Sequence, residues 1–306
     1  MTKNEQTDVL RNQLKEILLE RMPEPGLFST ALEELTTFRK NEKDLNCNNC
    51  FYQPLVSIPV QGAKRSIIGS DEYRYGEGQC LVASVDIPVT SHITAASAKK
   101  PYLAITLGLD KYVINQLISE LPEVYAAEVS TNRSTEVIDA DPGILNAFIR
   151  LAEICDDEHQ IPILAPLIIR EIHYRLLVGP VGHILQMINT AGTPSNQISS
   201  AIAWLRDNFR EPLQVDKLAE RFGMSISNFH RRFKQITTLS PVQYQKRLRL
   251  HEAQRLMLTE DVNAYHAALS VGYESPTQFN REYKRLFGEP PRRDVHRLAQ
   301  TSWQSD

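Results

Sequence analysis

The chain has 306 residues, 34 of them Lys or Arg and 37 Asp or Glu, giving a net charge of −3. Four cysteines are too few for a disulfide-built scaffold. The most apolar stretch, Ile161–Val178, is broken by four polar or charged residues and cannot cross a membrane, and the N-terminus lacks the apolar run of a secretory signal. A two-domain, soluble, cytoplasmic chain is expected.

The charge is unevenly spread. From Asn196 onward there are 17 basic and 12 acidic residues, against 17 and 25 before it. A basic module on an acidic body fits a protein that turns one face to phosphate.

In chain order, Leu10, Leu14, Ile17 and Leu18 have helical spacing and predict an amphipathic helix over 8–21, ended by Pro23, Pro25 and Gly26. From about residue 38 to 110, short runs rich in Val, Ile and Tyr (Leu55–Val60, Arg65–Ile68, Gln79–Val85, Tyr102–Leu107) alternate with Gly62, Gly69–Ser70–Asp71, Gly76–Glu77–Gly78 and Pro88. That texture predicts a small β-barrel or sandwich. Helical patterns return at about 142–155, 161–178 and 180–190. Gly192–Thr193–Pro194–Ser195 is the best linker candidate, dividing 1–194 from 195–306.

Beyond it, helices are predicted at 196–209, 214–221, 225–235, 241–258, 262–270, 276–286 and 291–299. Part of this region occurs twice. Phe229, Phe233, Lys234 and Pro241 are matched 50 positions later by Phe279, Tyr283, Lys284 and Pro291. Each aromatic pair is i, i+4 and lies on one helical face. Each follows a turn with Gly223 or Gly272, preceded by Ala219 or Ala268. Ser225 and Ser275 stand where N-caps belong, and Pro276 where a missing N–H costs nothing. This is the layout of two helix-turn-helix units, about 214–235 and 262–286, joined by a linker helix at about 241–258.

With the aromatics inward, the first unit presents Ser227, His230, Arg231 and Lys234, and the second Thr277, Gln278, Asn280, Arg281 and Lys284. Arg can fork onto guanine, Gln and Asn can pair with adenine, and Thr can touch a thymine methyl. Lys234 and Lys284, a turn further on, suit phosphate. A single solvated helix face also carries such residues; the duplication is what points to double-stranded DNA.

Residues 195–299 resemble the C-terminal domain of AraC/XylS-type bacterial transcription regulators. The resemblance rests on Leu218–Ala219, Gly223–Met224–Ser225, Phe229, Phe233–Lys234, Ser240–Pro241 and Tyr244. In the second copy it rests on Val271–Gly272–Tyr273, Ser275, Phe279, Arg281, Tyr283–Lys284, Phe287–Gly288 and Pro291. It implies base-reading positions at Ser227, Asn228, His230 and Arg231, and at Pro276, Thr277, Gln278, Asn280 and Arg281. Thr238, where Gly is usual, Ala267, where Ile is usual, and Pro276 depart from the pattern. The N-terminal half is similar to the AraC-type regulatory domain through Val60–Arg65, Tyr75–Gly76, Ser84–Val89, Pro101–Leu103 and Ile161–Leu167. The implied fold is a two-domain α+β chain: an N-terminal cupin-like β-barrel with flanking helices, and a C-terminal all-α double helix-turn-helix.

Cys47–Asn48–Asn49–Cys50 is the sharpest feature of the N-terminal half. It reads as two unremarkable loop cysteines, as a redox- or electrophile-sensing pair or, least of the three, as half of a structural zinc site. No metal or cofactor is expected. A metal cupin needs a His-x-His cluster, and His92 is the lone His between residues 38 and 145. The reading is a transcription regulator, not an enzyme, and an activator under small-molecule or redox control. Its expected partners are DNA, RNA polymerase if it activates, an effector and a second copy of itself. The alternatives are a cupin-type metal enzyme with an accessory DNA-binding domain, and a constitutive binder whose N-terminal domain only dimerises.

Overall fold

The computed structural model describes residues 2–44, 48–122 and 133–303. It opens with α1 (Lys3–Arg21), started by a capping box between Thr2 and Glu5. Nine strands follow: β1 (Gly26–Ser29), β2 (Leu35–Lys40), β3 (Asn48–Tyr52), β4 (Leu55–Gln61), β5 (Ala63–Ile68), β6 (Asp71–Gly76), β7 (Gln79–Ala83), β8 (Ile87–Ala95) and β9 (Tyr102–Gly108). Then come α2 (Lys111–Glu120), β10 (Thr135–Asp139), α3 (Pro142–Ile154), α4 (Ile161–Val178) and α5 (Gly182–Asn189).

The strands form two antiparallel sheets, ordered β1-β2-β9-β4-β7-β10 and β3-β8-β5-β6. Period-2 alternation gives the larger sheet two apolar faces. Val56, Ile58 and Val60, with Leu103, Ile105 and Leu107, face α1 and α3 and pack on Leu14, Leu18 and Phe148. Leu81 and Ala83 face the other way, towards Ile68, Tyr75 and Val89 of the smaller sheet. The β-rich N-terminal half and the helical C-terminal half are thus as expected, but details differ: β1 and β10 lie outside the stretch read as strands. Strand β8 runs through Pro88, read from sequence as a break. Pro88 pairs with Phe51 of β3, whereas β5 joins β8 only from Thr90 onward, so the missing N–H leaves no second ladder unfilled. Helix α2 was not foreseen, although its signal is present: Asp110 caps the amides of Tyr112 and Val113, and Ile114 and Leu117 are buried.

The C-terminal helices are α6 (Pro194–Asp207), α7 (Val215–Arg221), α8 (Ile226–Thr237), α9 (Pro241–Thr259), α10 (Ala264–Ser270), α11 (Pro276–Phe287) and α12 (Pro291–Trp303). The Gly192–Ser195 stretch is a tight turn rather than an extended tether: Thr193 caps α6 and Pro194 is its first residue. The core does not divide at this turn. One buried cluster runs from Ile68, Leu81 and Val89 through Ile198, Ile202 and Leu205 to Phe229, Phe233 and Tyr244.

One contact of this joint is strained. Thr238 ends α8 in the left-handed region, at φ 66, where its counterpart Gly288 (φ 86) ends α11 without penalty. Thr238 faces Gly69, in the β5–β6 turn at φ 61; a Cβ built there would lie 2.4 Å from the Thr238 Cβ. Gly69→Ala should therefore destabilise the protein by about 1–3 kcal/mol. Adding Thr238→Gly should recover part of that loss. Urea unfolding of the two single variants and the double variant measures this, and additive losses would show that the two sites do not touch.

Candidate nucleic-acid interface

Both helix-turn-helix units are built alike. The chain leaves α7 through Gly223 (φ 67), with the Met224 amide donating to the Ala219 carbonyl at 2.9 Å. It leaves α10 through Gly272 (φ 86), with the Tyr273 amide donating to the Ala268 carbonyl at 3.0 Å. Ser225 then caps the Asn228 amide, and Ser275 the Gln278 amide. Phe229, Phe233, Phe279 and Tyr283 are fully buried.

That anchoring fixes what remains outside. On α8, Ser227, His230, Arg231 and Lys234 are exposed and Asn228 is half-buried; on α11, Thr277, Gln278, Asn280, Arg281 and Lys284 are exposed and Pro276 is half-buried. The two faces are not equally free. Asn228 Oδ1 accepts from Arg231 Nη2 at 2.8 Å and from Arg232 Nε at 3.2 Å, so Arg231 is tethered. Gln278 Nε2 donates to Glu282 at 3.1 Å. Arg281 is exposed and has no hydrogen-bond or ion-pair partner among the described residues.

Sequence reasoning missed the side chains that aim α11. Glu282 accepts from Lys246 of α9 at 2.8 Å and from the Tyr273 hydroxyl at 2.8 Å. Burial opposes its ionisation, but hydrogen bonds from Lys246, Gln278 and Tyr273 outweigh that and hold its carboxyl below the usual range. Asp294 of α12, almost fully buried, accepts from the Tyr283 hydroxyl at 2.8 Å and from Gln254 at 2.6 Å. Arg249 of α9 donates to the carbonyls of Phe209, Arg210, Glu211 and Gly272. An acid immediately before the second aromatic of α11 was the one available signal, and it looks the same as any solvated Glu.

The β half grips this unit at the ends of both α8 and α11. Ser134 Oγ donates to the Ile236 carbonyl near the end of α8, and Asn49 Nδ2 to the Leu286 carbonyl near the end of α11. The buried Tyr244 hydroxyl donates to the Asp86 carbonyl at 2.9 Å. Arg206 reaches the Asp86 carboxylate at 3.3 Å. Asp86 is the buried end of that pair and Arg206 the half-exposed end. Burial therefore pushes the acid up despite Arg206, while Asp86 pushes the base up despite burial. Beside them lies a cleft of about 810 Å³ lined by Phe51, Leu55, Asp86, Lys111, Ile202 and Arg206, among others.

Cys50 lies on β3 beside these contacts, and its partner in the motif, Cys47, falls outside the described residues. Burial pushes the Cys50 thiol up, against the Lys64 charge and a hydrogen bond with Ser91. Among the described residues no three His, Cys, Asp or Glu side chains converge as a metal site, and no helix is long and apolar enough to cross a membrane.

Residues 31–184 match the family described as AraC-type transcriptional regulator N-terminus, and residues 218–297 match a helix-turn-helix domain family. The chain belongs to the AraC-type transcriptional regulators. Among curated relatives, the HTH-type transcriptional activator RhaS of Escherichia fergusonii is 38% identical over 96 residues, 31% of this chain and 34% of the relative. RhaS of Pectobacterium carotovorum is 28% identical over 103 residues, 34% of this chain and 37% of the relative. The chain thus spans about a third of the length of the curated relatives it matches. Among solved structures, ToxT of Vibrio cholerae bound to (E)-4-(8-methylnaphthalen-1-yl)but-3-enoic acid aligns with a TM-score of 0.62 at 12% identity. That alignment covers 86% of this chain and 97% of ToxT. Unsaturated fatty acid-bound ToxT aligns at 0.58 and 11%, covering 90% and 97%. At these identities the likeness is one of fold.

The joint carries a pH dependence. His251 of α9 lies edge-on between Phe51 and Phe287, 5.1 Å from each ring, and its buried Nε2 has no partner among the described residues. Burial, then the Arg247 charge, lowers its pKa from 6.5 to about 4. The folded state therefore binds fewer protons than the unfolded state between those values, and the neutral-imidazole contribution is lost as pH falls from 6.5 towards 4. Asp86, raised by burial, contributes with the opposite sign, so comparison with a variant isolates the histidine. His251→Phe should flatten the fall in urea-measured stability between pH 6.5 and pH 4.5. An unchanged slope would place the imidazole in water.

Proposed function

We propose that this regulator binds double-stranded DNA in a sequence-specific way, with residues 195–306 as reader and residues 1–194 as receiver of a small-molecule signal. The observation that carries this is the pair of equivalent exposed faces on α8 and α11, each held by buried aromatics behind a helix-turn-helix turn. Ser227, Asn228, His230 and Arg231 of the first reader, and Pro276, Thr277, Gln278, Asn280 and Arg281 of the second, address base edges; Lys234 and Lys284 address phosphates. The 19 residues of α9 span about 28 Å at ~1.5 Å each, against about 34 Å between successive major grooves on one side of B-DNA. Modest bending of the DNA towards the protein closes that gap.

The cleft beside Asp86 and Arg206 is the proposed effector site, because a ligand there bears on the contacts that tie the β half to α6 and α9. ToxT, which shares the fold, has an organic acid bound, and this supports a small-molecule effector. The description of the RhaS relatives as activators supports activation and contact with RNA polymerase. A family of regulators supports a cytoplasmic, non-enzymatic role with no cofactor. Cys47 and Cys50 are proposed as a redox-sensing pair. Cys50 shares β3 with Asn49 and Phe51, which touch α11 and α9, so a change there reaches the second helix-turn-helix unit; burial, by raising the thiol's pKa, slows both its oxidation and its attack on electrophiles.

A homodimer through α4 completes the proposal. Ile163 and Leu167 stand 67% and 62% exposed. A groove of about 280 Å³ lined by Ile154, Leu164 and Ile168 opens beside them. A ridge on α4 beside a groove between α3 and α4 can be self-complementary under a two-fold axis. Leu167→Glu should leave the protein folded and monomeric by light scattering; a variant with the parent's mass would remove this face from the interface.

Arg281→Ala should cost about 1–3 kcal/mol on the cognate site and less on scrambled DNA. Lys284→Ala should weaken both alike and lower the salt slope by about one. Arg231→Ala should show the smaller specificity loss, since Asn228 already holds that guanidinium. Binding across a salt series on both duplexes measures this, and equal losses for Arg281→Ala would show that α11 does not read bases.

A further inference from the structure

The outer face of the four-stranded sheet carries basic side chains that DNA reading and the effector cleft leave unused. Across β6, β5 and β8 the register sets Arg74 opposite Arg65 and Arg65 opposite His92. Directly opposed residues share a face. Their neighbours Ser66 and Tyr75 face the interior, where their hydroxyls lie 3.2 Å apart, so the basic row faces out.

Such a row calls for an anion, since like charges directly opposed destabilise a sheet. The nearest acid is Glu72, 2.5 Å from Arg74 Nε and 4.0 Å from Arg65 Nη1. That leaves donors over. Arg65 Nε and His92 Nδ1 are both buried atoms with no hydrogen-bond partner among the described residues. They sit on adjacent strands at one register position, and a buried polar group left unpaired is destabilising. The row lines a groove of about 530 Å³ that also holds Lys64 and Thr94, with no Asp or Glu in its lining. It shares no lining residue with the cleft beside Arg206.

We propose that this groove binds a phosphate group, free or carried by a small molecule, held by Arg65 and His92 across β5 and β8 and by Arg74 from edge strand β6. Phosphate fits better than carboxylate. Three donor side chains in one cross-strand row can each reach a different oxygen of a group that has three free oxygens and a charge near −2, whereas a carboxylate offers two oxygens and a single charge. The second signal would enter on the sheet whose β5–β6 turn abuts Thr238 at the end of α8.

Calorimetric titration of the full-length protein in low-salt buffer tests this, with inorganic phosphate, ribose 5-phosphate and acetate as probes and sodium chloride as the ionic-strength control. Both phosphates should bind one to one, and acetate about tenfold more weakly or not at all. His92→Gln and Arg65→Gln should each lower phosphate affinity about tenfold. Arg74→Gln, at a side chain 77% exposed and safe for the fold, should lower it severalfold. Tighter binding of ribose 5-phosphate than of inorganic phosphate would assign the site to an organic phosphate, and the reverse order to the free ion; either supports the proposal. Absence of saturable binding, or wild-type affinity in Arg74→Gln, would overturn it. A reduced salt slope of DNA binding in Arg74→Gln would also overturn it, by giving the row to the DNA backbone. The phosphate-binding readouts do not require the α8 and α11 assignments to hold.

Discussion

Tyr244 is where the two halves of the molecule become one body. Its ring meets Phe51 of β3 and Phe233 of α8 edge-on, at 5.5 Å each, and its buried hydroxyl donates to the Asp86 carbonyl. It stands near the start of α9, so one side chain joins the β half, the first reader and the helix that sets the spacing to the second. A buried phenol must find an acceptor or lose the free energy of its hydration. The acceptor is a backbone carbonyl of the β half, which makes the burial of Tyr244 conditional on domain contact. Phe51 extends the same stack through His251 to Phe287, carrying the joint to the second reader.

Helix α11 is held in place by polar groups that spend their hydrogen bonds inward. Glu282, Asp294 and Arg249 close the donors and acceptors of α9, α11, α12 and the turns, and each is satisfied by named partners. Their networks make the angle of α11 a property of four elements rather than of one helix. The exposed residues of α11 carry no such duty, apart from Gln278, and remain available to a ligand.

The two units differ where they meet the β half. The first ends in a strained Thr238 against Gly69 and shares its core with the sheets; the second ends in an unstrained Gly288 and has its own core around Leu250, Ala268 and Tyr283. Strain at a joint is a reservoir that a change in domain contact can release. The Asp86 contacts bear on Tyr244 and, through its ring, on Phe233 of α8, while Asn49 of β3 bears on the end of α11.

The sequence by itself determined the repeated unit, the inward aromatics and the two caps, because these depend on local periodicity and on residues within one turn of each other. It determined the β-rich half as a class, because alternation and turn residues are local too. It did not determine the course of β8 through Pro88, which depends on how far β5 extends alongside. Nor did it separate Arg249, a four-carbonyl clamp, from Arg281, an exposed guanidinium on a reader. Both are arginines on amphipathic helices, and only the fold decides which one faces a ring of orphan carbonyls and which one faces water. Cross-strand rows such as Arg74, Arg65 and His92 were hidden for the same reason. Residues 9 and 27 positions apart become neighbours only once strand register is fixed, and register depends on which faces are buried.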